Sequence, residues 1–167
     1  MGLVQVDTET VTSAVSAVTL TGIDSDDVYM IAVNNVAPTT DGGTPIFRVT
    51  KGGTAQTDNE YDYAVKQLRT DTTFGNNAEV NIDSFKSNDI GTNTGEVLNM
   101  ILYLYNFNSS SEYSFITQEI SQISSNGLHR GRQGGAVHTV ASASDGMEFK
   151  IGSGNIASGT FTLYRVV

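Results

Sequence analysis

The sequence predicts an all-β fold: a single-domain antiparallel β-sandwich of jelly-roll or Greek-key type with an extended N-terminal arm. Two observations lead to this prediction. Short runs with an apolar residue at every second position recur along the chain, and this is the period of a strand with one buried face. Clusters of Gly, Asn, Asp and Ser separate the runs, as they do in the turns of sheet proteins. The 167 residues are enough for one domain with its own core.

The first 22 residues form the predicted arm or edge strand, and residues 23–167 form the sandwich domain. The stretch 10–22 is rich in Val, Ala and Thr and lacks capping residues, so an extended conformation is favoured over a helix. We expect the apolar residues of this arm to contact another protein subunit. They are Leu3, Val4, Val6, Val11, Val15 and Val18.

The strongest core candidate is the strand predicted at 96–107. Both of its faces are apolar, one with Leu98, Met100, Leu102 and Leu104, the other with Val97, Ile101, Tyr103, Tyr105 and Phe107. This pattern predicts a strand covered on both sides, by a second sheet and by an arm or a neighbouring subunit.

The last third of the chain contains one ambiguous segment and one predicted hairpin. Segment 112–123 fits both a helical stripe and strand alternation, and the surrounding β pattern favours a strand. The Gly-rich stretch 124–135 is predicted to be a loop. Segments 146–151 and 160–167 alternate and are separated by a Gly/Ser turn, so they are predicted to pair, with Phe161 and Leu163 delivered to the core.

Composition excludes several classes of protein. The net charge of −9 repels phosphate backbones, so we expect no nucleic-acid partner. The absence of cysteine excludes disulfides and thiolate zinc sites. We expect neither a signal peptide nor membrane insertion, since no basic N-terminal region and no long apolar run is found.

No catalytic motif is recognisable, and we expect a protein without enzymatic activity, cofactor or metal. The acidic turn Asp24–Asp27 lacks the Gly and distal Glu of a calcium loop. The only tight basic cluster contains His129, Arg130 and Arg132, in the predicted loop 124–135. These side chains are candidates for gripping carboxylates of a neighbouring subunit or a sugar acid.

The C-terminal segment resembles a known family. "SGNIASGTFTLYRVV" at 153–167 is similar to the ending of virion structural proteins of tailed bacteriophages that infect marine bacteria and cyanobacteria. Their usual form is Gly-x-Phe-x-Leu-Tyr-Gly, which Gly159, Phe161, Leu163 and Tyr164 match. Arg165 stands where that form has glycine. The first twenty residues also look like the start of small phage head and tail proteins.

The resemblance implies a jelly-roll domain of a virion, made in the host cytoplasm. It implies a capsid decoration (cement) protein that contacts the major capsid protein or tail components and forms a homo-oligomer, typically a trimer. The alternative is a module at the tip of a tail fibre or head fibre that binds host surface glycans. The family supplies no catalytic residues.

Overall fold

The computed structural model describes residues 2–167, and all regular structure in this range is β-strand. Thirteen strands follow one another along the chain. They are β1 (Leu3–Val11), β2 (Ala17–Thr21), β3 (Tyr29–Pro38), β4 (Pro45–Lys51), β5 (Thr54–Ala55), β6 (Tyr61–Arg69), β7 (Gly75–Ile82), β8 (Phe85–Lys86), β9 (Leu98–Tyr105), β10 (Ser114–Ile123), β11 (His129–His138), β12 (Gly146–Ile151) and β13 (Ile156–Val166).

The strands form two antiparallel sheets, which confirms the predicted all-β sandwich with a jelly-roll-like architecture. The larger sheet has eight strands in the order β1-β13-β3-β9-β10-β11-β6-β7. The smaller sheet has five, with β2, β12, β4 and β5 in a row and β8 also paired with β4. The smaller sheet therefore covers only part of the larger one.

The core lies between the two sheets. Alternate residues of β9, from Leu98 to Leu104, are buried there, as the period-two pattern predicts. Aromatic side chains join the layers: the rings of Phe149 on β12 and Phe161 on β13 have centroids 5.3 Å apart. Such tilted pairs stabilise a core beyond the apolar area that they bury.

The N-terminal segment is part of both sheets. β1 pairs with β13 at the edge of the large sheet. The chain then crosses to the other layer, where β2 pairs with β12. Val15 lies at the crossing and forms a bridge with Ile156. Within the described residues the segment thus forms an edge strand of each sheet, instead of an arm that extends away from the domain.

The predicted pairing of the last two segments is wrong. β12 belongs to the small sheet and pairs with β2 and β4, whereas β13 belongs to the large sheet and lies between β1 and β3. The linker at 152–155 carries the chain from one layer to the other. Phe161 and Leu163 are buried as predicted, since the alternation of a strand determines its buried face but not its partner.

The prediction of a loop at 124–135 is also wrong for the residues after 128. Residues 129–138 form β11, a ten-residue strand between β10 and β6. The glycines that suggested a loop are needed because neighbouring strands approach closely. A Cβ at Gly134 would collide with the carbonyl oxygen of Ala64, and one at Gly131 would lie 3.1 Å from that of Ile120. The strand favoured for 112–123 is confirmed as β10.

Residues 2–167, the part of the chain that the structure describes, leave the second face of β9 uncovered. Ile101 and Tyr103 point away from the core and are 41% and 39% exposed. Only the inner face of β9 has the predicted cover, which is the second sheet. The outer face is open to a partner.

Phe161→Ala should lower the free energy of unfolding by about 3–5 kcal/mol, the usual cost of removing a buried phenyl ring. The ring is 1% exposed and contacts the opposite layer. Thr160→Ala changes the residue that precedes Phe161, on the other face of the strand, and should change the free energy of unfolding by only about 0.5 kcal/mol. Urea denaturation measures both, and equal effects would contradict the position of β13.

Candidate functional site

The arginines of the basic cluster point into the protein, contrary to the prediction that they lie on a surface loop. Arg130 is 7% exposed and its guanidinium makes a two-pronged pair with Asp71, with N···O distances of 2.7 and 3.1 Å. Arg69 also donates to Asp71, from Nε at 3.3 Å. This geometry holds the pKa of Asp71 down, at about 2, because both cations favour the charged carboxylate.

Arg132 is buried two residues further along the same strand. It donates from Nη1 to the carbonyl oxygen of Lys86, and its guanidinium lies 5.1 Å from the centroid of the Tyr63 ring. A second, longer hydrogen bond of 3.5 Å reaches Asn77. Of the three predicted contact residues, only His129 reaches the surface; it is half-buried and its Nε2 lies 3.0 Å from Ser121 Oγ.

These arginines belong to a polar layer on the inner face of β10 and β11. Gln122 contributes a second set of contacts: its Nε2 donates to the carbonyl oxygens of Asn88 and Asp89, at 2.9 and 2.7 Å. Ser87 Oγ donates to Gln122 Oε1 at 2.6 Å. The cover here is segment 83–93, which is irregular on either side of the two-residue strand β8, and its backbone carbonyls need donors when they are buried. The cluster therefore has a structural role.

His138 lies in the same layer, at the end of β11. It is 1% exposed, and its ring centroid lies 4.9 Å from that of Tyr61. Burial lowers the pKa of His138, and Glu60, whose carboxylate lies 3.5 Å from Nε2, partly opposes the shift. The ring is therefore neutral at pH 7.

Two of the acidic side chains in turns hold the local backbone and neighbouring hydroxyls. Asp145 accepts hydrogen bonds from Thr50 Oγ1 at 2.7 Å and from the Gly53 amide at 2.8 Å. In the acidic turn, the Tyr29 hydroxyl donates to Asp24 at 3.1 Å. Among residues 2–167, no group of three His, Asp or Glu side chains is placed to hold a metal ion.

Two exposed apolar surfaces remain as candidate sites. The first, which we call the terminal corner, brings the two chain ends together. Gly2 and Val167 form a pair of backbone hydrogen bonds of 2.6 and 2.9 Å, and the neighbouring apolar side chains are open to solvent. They are Leu3, Val4, Val6 and Val167, each between 36% and 56% exposed.

The other predicted contact residues of the N-terminal segment face the domain itself. Val11 and Val18 are buried in the core, and Val15 is half-buried against it. The contact surface that this segment offers to another protein therefore consists of Leu3, Val4 and Val6.

The second candidate, the outer face, is the solvent side of strands β9, β10, β11, β6 and β7. Tyr103 and Phe115 are 39% and 43% exposed there. Next to Phe115 lies a hollow of about 540 Å³ whose walls and floor include Ala64, Ala78 and Gly135. Exposed aromatic side chains beside a shallow apolar hollow are typical of interaction surfaces.

Comparisons with protein-family models, curated proteins and solved structures find no match to this chain. No helix in the described range is long and apolar enough to span a membrane.

Asp71→Asn should lower the urea midpoint at pH 7, because Arg130 would keep its charge in a buried site without a carboxylate partner. A carboxyl group whose pKa falls on folding stabilises the protein above the unfolded value of 3.8, and this contribution disappears as the pH falls through about 2. The difference between the midpoints of wild type and variant should therefore shrink steadily as the pH falls from about 4 to 2. Asp58→Asn, in an exposed loop, is the matched control and should leave the pH 7 midpoint unchanged.

His138 should make the protein less stable in mild acid. Its pKa lies below 6.5 in the folded state, so the unfolded chain binds the proton first and stability falls as the pH drops below about 6.5. His138→Phe should remove this loss between pH 6.5 and 5, whereas His129→Gln should retain it. Thermal melting at fixed ionic strength measures the effect, and an unchanged pH profile in His138→Phe would contradict it.

Proposed function

We propose that this chain is a structural protein of a tailed-bacteriophage virion that decorates the capsid and stabilises it through contacts with other subunits. The terminal corner carries the proposal. Three apolar side chains at the open end of an edge strand are costly to leave in water, and such an edge is a ready site for another protein's strand. The C-terminal resemblance suggests that this partner is another virion protein.

The open part of the edge is short and well defined. The register of β1 shifts between Gln5 and Asp7, and such a bulge disrupts pairing with a further strand. Beyond it, the Asp7 carboxylate accepts a hydrogen bond of 2.9 Å from the Thr21 amide of β2. Residues 3–6 are therefore the part of β1 that can take a partner strand.

The remaining features agree with a binding role inside an assembly. The strongly acidic surface disfavours contact with packaged nucleic acid, and the proposed protein has no enzymatic activity. Its partners are other virion proteins, the major capsid protein first among them, together with further copies of this chain. Synthesis takes place in the host cytoplasm and the final location is the virion.

A fibre-tip module that binds host glycans is the second candidate function. The aromatic side chain that favours it is Tyr103, which shares a hollow of about 260 Å³ with Thr117, Glu119 and Gln133. Flat aromatic rings beside hydrogen-bonding side chains suit the apolar faces and hydroxyls of sugars. A glycan array probed with wild type and Tyr103→Ala tests this candidate, and signal lost in the variant supports it.

The attachment proposal predicts that Leu3→Asp/Val4→Asp reduces occupancy on purified capsids at least about tenfold, because two apolar contacts become charged. Phe74→Asp, which changes a 59% exposed side chain at the opposite edge of the sheet, is the control. Quantitative gels and cryo-electron microscopy of reconstituted shells measure occupancy. Unchanged occupancy, or a protein found only at the tail of purified virions, would contradict the proposal.

Deletion of residues 1–20 is not a clean test of attachment. It would remove β1 and most of β2 together with core residues Val11, Val18 and Leu20. Loss of binding would then report unfolding, whereas the point variants keep the core intact.

A further inference from the structure

We infer that the outer face is a self-association surface, on which two copies of this chain lie face to face about a two-fold axis along β11. This inference goes beyond the proposed function, since it concerns contact between copies in solution and not attachment to a shell. The inner face of the same sheet has its cover within the chain, whereas Ile101, Tyr103 and Phe115 on the outer face have none.

Charge placement is the first argument for the axis. In the register of the sheet, Glu119 on β10 lies opposite Gln133 on β11, which lies opposite Lys66 on β6. All three are exposed. Within residues 2–167 neither charged member has an ion-pair partner; Lys66 Nζ makes only a 3.3 Å hydrogen bond to Asn76.

A rotation about β11 brings these free charges together. It places β10 of one copy over β6 of the other, so each Glu119 faces the second copy's Lys66, twice in the pair. Gln133 meets its own equivalent on the axis, where two amides can each donate and accept. An axis along β10 would oppose the two Glu119 carboxylates, and one along β6 the two Lys66 ammonium groups. Only the axis along β11 pairs opposite charges.

Side-chain size is the second argument, and it selects the same axis. Along the next row of the face the register runs from Tyr103 through Thr117, Gly135 and Ala64 to Ala78. The rotation places the large Tyr103 ring over the second copy's Ala78, beside the hollow of about 540 Å³. Gly135 lies at the axis, where a missing side chain lets two sheets approach. In this row a large residue thus faces a small one, as in packed sheet interfaces, whereas in the row Phe115–Val137–Asp62 the ring of Phe115 faces the second copy's Asp62.

The area is sufficient for a weak but specific dimer. Five strands spaced about 4.8 Å apart and eight residues rising about 3.3 Å each cover roughly 24 by 26 Å. Each copy would bury about 600 Å², which puts the total near 1,200 Å², at the lower end of specific interfaces. We therefore expect an equilibrium between monomer and dimer that depends on concentration. It should also weaken with salt, because charged pairs lie on the face.

Sedimentation equilibrium of the full chain at low salt tests the inference by charge exchange. Wild type should dimerise. Glu119→Lys and Lys66→Glu should each shift the protein to monomer, with a dimer dissociation constant at least about tenfold higher. The double variant Glu119→Lys/Lys66→Glu should restore the dimer, because opposite charges face each other again. Glu9→Lys, the same charge change on β1 far from the face, is the control and should dimerise like wild type.

A second measurement places the axis. The chain contains no cysteine, so a single introduced thiol can react only with its copy. A short bismaleimide should link Gln133→Cys, on the axis, into a covalent dimer. It should not link Asn76→Cys, since the two copies of that residue would be four strand spacings apart, about 19 Å. The reverse pattern would overturn the proposed axis.

Three other outcomes would also overturn the inference. They are a wild type that remains monomeric, a double variant that fails to recover the dimer, and the trimer that the family resemblance implies. A monomer whose glycan-array signal depends on Tyr103 would assign the face to a sugar instead. None of these results affects attachment through the terminal corner, so a monomer that still occupies capsids would leave the proposed function intact.

Discussion

The structure depends on one mismatch: an eight-stranded sheet is covered by a sheet of five strands. At the end of the second sheet, the short strand β8 and the irregular backbone on either side of it cover the inner face of β10, β11 and β6. Irregular backbone carries carbonyl groups without strand partners, and burying them is costly unless donors reach them. Arg132 and Gln122 supply those donors from the sheet below. The apolar core can therefore stop at that point without leaving the sheet open to water.

Because of this arrangement, two of the basic residues serve the interior of the protein and not its surface. The chain has nine Lys and Arg residues, and Arg130 and Arg132 are buried in the polar layer. Asp71 offsets the charge of Arg130, whereas Arg132 is held by the Lys86 carbonyl oxygen and the Tyr63 ring. The surface is correspondingly acidic, and the features that distinguish one region of it from another are apolar. For this reason the outer face and the terminal corner carry the functional argument.

Much of the fold was predictable from sequence, since it follows from which side chains are buried. Alternation correctly assigned Phe161 and Leu163 to the core, but it could not say that β13 lies beside β1 and β3, because partner choice depends on contacts distant in sequence. Arg130 and Arg132 were misplaced because their glycine-rich surroundings resemble a loop. Their position in the strand does carry a signal. Arg130 and Arg132 are separated from the buried His138 by an even number of residues, so all three side chains lie on the same face of β11. Asp71, the partner of Arg130, lies nearly sixty residues away, where no local pattern reveals it.

The side-by-side chain ends have a practical consequence. Because Gly2 and Val167 are hydrogen-bonded neighbours, a short linker can join them into a closed ring without disturbing β1 or β13. New ends can then be opened at the exposed turn Gly52–Gly53, where both residues have positive φ and no neighbouring atoms crowd them. The topology thus permits a circular permutant, in which a peptide cargo attached to the new ends would leave the molecule away from the corner that Gly2 and Val167 occupy.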